Sequence, residues 1–152
     1  MACTGVGACG PSGGGTTYTI VFSLGDNAPD VDSVHFTATY EGGNILGSGA
    51  TAECTAADSV TVTVVDFDSP ALDGPKFLDV QAGAKDTAIS AGDEIMTCSF
   101  TAGTQPTSHN FAMTTTAATD DNDDSISDLS NVDVVVSSTC LASGTTSGSC
   151  PQ

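Results

Sequence analysis

The sequence contains no arginine and no tryptophan, and Lys76 and Lys85 are its only lysines. Phosphate backbones are bound by clustered lysine and arginine, so nucleic acid is excluded as a natural partner. Anionic membrane surfaces are disfavoured for the same reason. With aromatics at 5% and no indole, sugar-stacking carbohydrate recognition has little to stand on. No run of 18 apolar residues occurs, so no membrane-spanning helix is expected. The opening MACTGVGACG has neither a basic n-region nor an apolar h-region and does not read as a signal peptide. There is no N-x-[ST] sequon, no C-x-x-C pair and no G-x-S-x-G elbow. N-glycosylation, a zinc site and a serine-hydrolase nucleophile are therefore not expected. Repeats of 20 to 50 residues, the mark of solenoids, are also missing.

What is present is acid. Nineteen Asp and Glu against two lysines give a formal net charge of -17. Such a charge keeps a chain soluble but self-repelling, and bound divalent cations or a saline habitat would relieve the repulsion. At 152 residues with 39% hydrophobic side chains, the chain is long enough for one core and too short to suggest two.

Six cysteines stand out in so small a chain: Cys3, Cys9, Cys54, Cys98, Cys140 and Cys150. In a Gly/Ser/Thr-rich, strand-forming chain they point to an oxidising, extracellular compartment. Six thiols allow fifteen pairings. Cys98 shares the inward parity of Met96 and Phe100, so a cystine from Cys54 to Cys98 is the preferred pair, with two buried free thiols as the alternative. At the ends, Cys3 with Cys9 and Cys140 with Cys150 are local options. Pairing between the two ends, within one molecule or with a neighbour, competes with them.

Period-two alternation, the half-buried strand pattern, recurs along the middle of the chain. Tyr18, Ile20, Phe22 and Leu24 share one face, as do Val34, Phe36, Ala38 and Tyr40. The pattern returns at Val60 to Val64, Met96 to Phe100, Phe111 to Met113 and Val132 to Val136. Phe77 to Val80 is a shorter candidate and Asn44 to Ala52 a weak one. Turn clusters such as Glu41-Gly42-Gly43-Asn44 separate them, and no segment carries a helical stripe. The expected fold is all-β: a single antiparallel β-sandwich, jelly-roll or immunoglobulin-like, of about seven to nine strands with cysteine-bearing extended termini. Residues 17–138 form the sandwich, flanked by a Gly-rich segment, 1–16, and a Ser/Thr/Gly-rich segment, 139–152.

Several motifs within 17–138 carry a resemblance. Ile89-Ser90-Ala91-Gly92-Asp93-Glu94-Ile95-Met96-Thr97-Cys98-Ser99-Phe100 and the ending Ala117-Ala118-Thr119-Asp120-Asp121-Asn122-Asp123-Asp124 before a Val-rich strand resemble the cohesin-like β-sandwich domains of secreted and surface bacterial proteins. The resemblance implies a nine-stranded jelly-roll-like sandwich used for protein attachment rather than chemistry.

The run Asp120-Asp121-Asn122-Asp123-Asp124 places oxygen ligands at the first, third and fifth positions of a calcium loop, with Asp128 at the ninth. Ser125 stands in the place of the EF-hand glycine and Asn131 in that of the bidentate glutamate. Asp120, Asn122 and Asp124 are thus candidates for a non-EF calcium site, against the alternative of a solvated acidic turn. Asp26, Asp30 and Asp32 form a second, weaker cluster. His35 lies on a Thr-bearing strand face and His109 in a loop, and neither belongs to a nucleophile motif.

These features point to a non-enzymatic, extracellular structural protein: a subunit of a cell-surface or filamentous assembly joined through its termini. Its partner would be itself, as a head-to-tail homopolymer, or another surface protein. The alternative is a cohesin-like recognition module that binds a partner domain on one sheet face.

Overall fold

The computed structural model describes residues 16–47, 49–67 and 76–140. Nine strands account for most of them: β1 Thr16–Leu24, β2 Ser33–Tyr40, β3 Gly43–Ile45, β4 Cys54–Ala56, β5 Val60–Phe67, β6 Lys76–Ala84, β7 Glu94–Ala102, β8 Phe111–Thr119 and β9 Val134–Cys140. The only helical features among the described residues are two three-residue 3-10 turns, Ser108–Asn110 and Leu129–Asn131. One sheet runs β3-β7-β1-β9, with β4 also on β7. The other runs β5-β6-β2-β8. Every strand pair is antiparallel. Only β5 and β6 are consecutive strands paired as neighbours, so nearly every other connection carries the chain across to the opposite sheet. The result is a β-sandwich.

Alternation places the core. Tyr18, Ile20, Phe22 and Leu24 of β1 and Val34, Phe36, Ala38 and Tyr40 of β2 all turn inward and are buried, while their Thr and Ser neighbours face out. The rings of Phe22, Phe36, Phe100, Phe111 and Tyr40 form a chain through the interior. Phe22 lies 6.2 Å from Phe36 and meets Phe111 edge-on at 6.1 Å. Phe100 lies 5.3 Å from Phe111, and Tyr40 meets Phe100 edge-on. Edge-to-face pairs of this kind contribute about 0.5–1.5 kcal/mol each beyond area burial.

Two bulges break the simple alternation. The β1–β7 register shifts between Phe22 and Ser23, leaving Ile95 as an extra residue, and Ile95 and Met96 are both buried. A bulge inserts one residue and re-aims the chain, which is why strict period two does not assign Ile95 to the core. The β2–β8 register shifts beside His35, so that Thr116 and Ala117 are both exposed.

Several strands depart from the sequence-based bounds. β6 extends to Ala84, beyond the short Phe77 to Val80 candidate, because its Gln81 and Gly83 pair with β2 without supplying apolar side chains. β9 begins at Val134 rather than Val132 and continues to Cys140 opposite Tyr18, two residues past the expected boundary at 138. The weak Asn44 to Ala52 candidate shrinks to Gly43–Ile45, and Cys54–Ala56 forms a separate short strand. Gly43 permits the close approach of β3 to β7, since a Cβ there would lie 2.2 Å from the Thr101 carbonyl oxygen.

Candidate functional site

β4 lies on β7 so that Cys54 stands directly opposite Cys98, and a disulfide joins them. Cys98 is buried on the inner face, beside Ile20 of β1. The bond closes a sequence separation of 44 residues. Cys3, Cys9 and Cys150 lie outside the described residues. Of Cys140 only the backbone is described, and it ends β9.

The acidic turn links Thr119 to Ser125, which bridge one another. Asp120 organises it: one carboxylate oxygen accepts the amides of Asn122 at 2.9 Å and Asp124 at 3.0 Å. The Asp120 amide donates to the Asp124 carbonyl, and that of Asp123 to the Asp120 carbonyl. Asp123 takes a left-handed φ of 63°, which aspartate tolerates better than most residues. The Asn122 side-chain amide donates to Asp121. Among the described residues, no three His, Cys, Asp or Glu side chains gather into a group that could hold a metal ion. That statement covers the Asp26, Asp30, Asp32 cluster as well. The calcium candidate at Asp120, Asn122 and Asp124 thus rests on spacing, while the Asp120 carboxylate has a visible structural task. Replacing Asp120 by Ala is expected to cost about 1 kcal/mol through the two lost hydrogen bonds from the amides, read by urea denaturation, with Asn retaining most of it. The same proteins titrated with calcium chloride decide the ion. A concentration-dependent rise in Tm that Asp124→Ala abolishes would place it here, and an unchanged Tm would leave the turn as a cap alone.

Farther along, Asp128 accepts the hydroxyl and the amide of Ser130 and so caps the second 3-10 turn. These hydrogen bonds, the hydroxyl's first, hold its carboxyl below the ordinary carboxylate value.

The outer face of the β5-β6-β2-β8 sheet carries a groove of about 570 Å³. Polar and apolar groups share its lining: Thr61, Thr63, Gln81 and His35 lie side by side across three strands, with Thr116 of the bulge and the apolar Ile126 and Leu129. His35 Nε2 meets Asp79 Oδ1 at 2.5 Å, a diagonal cross-strand pair about one-third exposed on both sides. Exposed pairs of this type contribute about 0–1 kcal/mol. The Thr116 hydroxyl donates to the His35 carbonyl rather than to its ring. Among the described residues, Asp79 is the side chain that hydrogen-bonds the imidazole. His109 is exposed in the first 3-10 turn and takes no part in the groove.

A second surface is less visible in the residue types. β9 is the outermost strand of its sheet, paired to β1 without a register break from Leu24↔Val134 to Tyr18↔Cys140. Its free side has no strand partner among the described residues. Val135, 44% exposed, is open to water there; the other large hydrophobic side chain so exposed among the described residues is Phe67, stacked on Phe77 in the opposite sheet. Because β1 begins at Thr16 and β9 ends at Cys140, both terminal segments leave from neighbouring points at one end of the sandwich. Charge follows the same geography: all 21 Asp, Glu and Lys residues lie between Asp26 and Asp133, so β1, β9 and both terminal segments carry none. This uncharged distribution was the sequence signal for the edge.

No family model, no curated protein and no solved structure matches the chain.

Proposed function

We propose that the protein is a non-enzymatic, extracellular structural subunit that assembles with copies of itself through its terminal segments. The observation that carries this reading is the exit of both cysteine-bearing ends beside an uncharged, open sheet edge. An open edge offers unpaired backbone groups to another strand, and an extended segment adds to it by main-chain pairing. Contacts between one surface and a different surface of the next copy do not close, and so give filaments. A cystine already inside the fold fits an oxidising setting.

Assembly of like-charged subunits is expected to strengthen with salt, as the Debye length falls from about 30 Å at 0.01 M to about 10 Å at 0.1 M. Sedimentation velocity across that range reads it. Removing residues 1–15 should leave circular dichroism unchanged, since β1 starts at Thr16, while abolishing the fast-sedimenting species. A truncated chain that sediments like the parent would refute the role of the termini.

The second reading, a cohesin-like recognition module, is favoured by the groove on the opposite sheet. It requires that residues 16–140 alone bind a partner domain and that substitutions at Gln81 or Thr63 weaken that binding.

A further inference from the structure

We infer that the free edge of β9 accepts residues 2–10 of a second copy as an added strand, an inference that rests on the assembly reading above and names its joint.

The four sheet edges are not equivalent. The β3/β4 edge is broken into two three-residue strands. β8 is bulged at Thr116, and its end is closed by the Thr119–Ser125 bridge. β5 turns the charged Asp66 inward, where Tyr40 donates to it at 2.7 Å, and Gly49 bridges Asp66 on the side away from β6. Bulges, short strands and inward-pointing charges are the devices by which sheets guard their edges. β9 has none of these three: seven residues, Val-Val-Val-Ser-Ser-Thr-Cys, with no charge, no proline and a continuous register, the loop before β8 reaching it at the Ser138 hydroxyl, which donates to the Pro106 carbonyl.

The hydrogen-bond phase shows which groups face outward. Gly25 donates its amide to the Asp133 carbonyl, and Leu24 donates to Asp93 at the far side of β1. Bonded and non-bonded pairs alternate along an antiparallel ladder, so Val135 and Ser137 bond to β1, whereas Val134, Val136 and Ser138 turn their amides and carbonyls to the free side.

Residues 1–15 suit that edge. Ala2 to Gly10 gives nine residues against the seven of β9, again without charge, with Thr4, Val6 and Ala8 alternating with Gly5 and Gly7. Pro11 then ends the strand pattern, and four residues, Ser12 to Gly15, separate it in sequence from β1. In a molecule of net charge -17, neither β9 nor residues 2–10 carries an acid, so the two strands bring no like charges together. A chain's own segment would have to reverse around the end of β9 to reach the outer side, because β1 occupies the inner one.

Amide hydrogen exchange on the full chain, below and above the salt concentration at which it assembles, tests the joint. Val134, Val136 and Ser138 are expected to exchange at least about tenfold more slowly in the assembled form. Val136→Pro removes one outward amide without touching the β1 ladder, and Val6→Pro breaks the donor segment outside the sandwich. Each should leave a folded monomer that no longer assembles. Assembled protein in which those three amides exchange as in the monomer, or Val6→Pro chains that assemble like the parent, would overturn the inference while leaving self-assembly intact. Slow exchange of the three amides already in the monomer would overturn it too, because the edge would then be covered by the chain itself. A parent that remains monomeric at every salt concentration would overturn the assembly reading and the joint with it.

Discussion

Replacing Cys54 and Cys98 together by Ala is expected to lower stability by about 4 kcal/mol, the loop-closure entropy that a cross-link over 44 residues removes from the unfolded chain. For a chain of this size, that corresponds to a fall in Tm of about 12 °C. The pair is placed to deliver the effect. β4 is only three residues long and forms the outer side of β7 there, so the cystine ties a short edge strand to the centre of its sheet. Without it, β4 is held by its three pairs to β7 and by the backbone bonds that flank them, from the Ser99 amide to the Glu53 carbonyl and from the Ala57 amide to the Ile95 carbonyl. Reducing the parent with dithiothreitol before melting should reproduce the shift. A double variant within about 1 kcal/mol of the parent would mean that the 44-residue excursion is restrained mainly by packing.

Phe22→Ala should cost a comparable amount, about 3–5 kcal/mol. Its ring is fully buried at the centre of β1, between Phe36 of the facing sheet and Phe111 of β8. Truncation removes apolar surface from the core and leaves a cavity that two sheets fixed by their ladders close only partly. Phe67→Ala supplies the contrast. Phe67 is 45% exposed and, among the described rings, stacks on Phe77 alone, so its loss should cost no more than about 1 kcal/mol. Urea unfolding of the two variants side by side measures the difference. Equal effects would contradict the placement of the core between the sheets.

The strands that carry the core were legible because burial on one face writes itself as alternation: β1 and β2 could be assigned residue by residue from Tyr18 to Tyr40. What alternation could not supply was pairing. β4 has three residues and no apolar period, and only its position opposite Cys98 identifies it as a strand. Ile95 escaped for a related reason, since a bulge adds a residue that the period does not count. The groove was illegible because its threonines and glutamine are ordinary outward-facing residues until three strands bring Thr63, Gln81 and His35 side by side. Asp120 shows a different limit. Its spacing suggested a metal ligand, and one oxygen of its carboxylate also accepts two amides of its own turn. Side-chain acceptors that mimic a backbone turn use the same short acidic sequences as calcium loops, so spacing alone does not separate them.

The open edge of β9 and the uncharged sequence at both ends carry the proposal that this cystine-tied sandwich meets the next copy where the acids are absent. Negative-stain imaging of the full chain, from about 0.01 M to 0.5 M salt, tests it most directly. Unbranched filaments that lengthen as salt screens the net charge of -17 are the predicted result, and separate single-subunit particles at every salt concentration would contradict it.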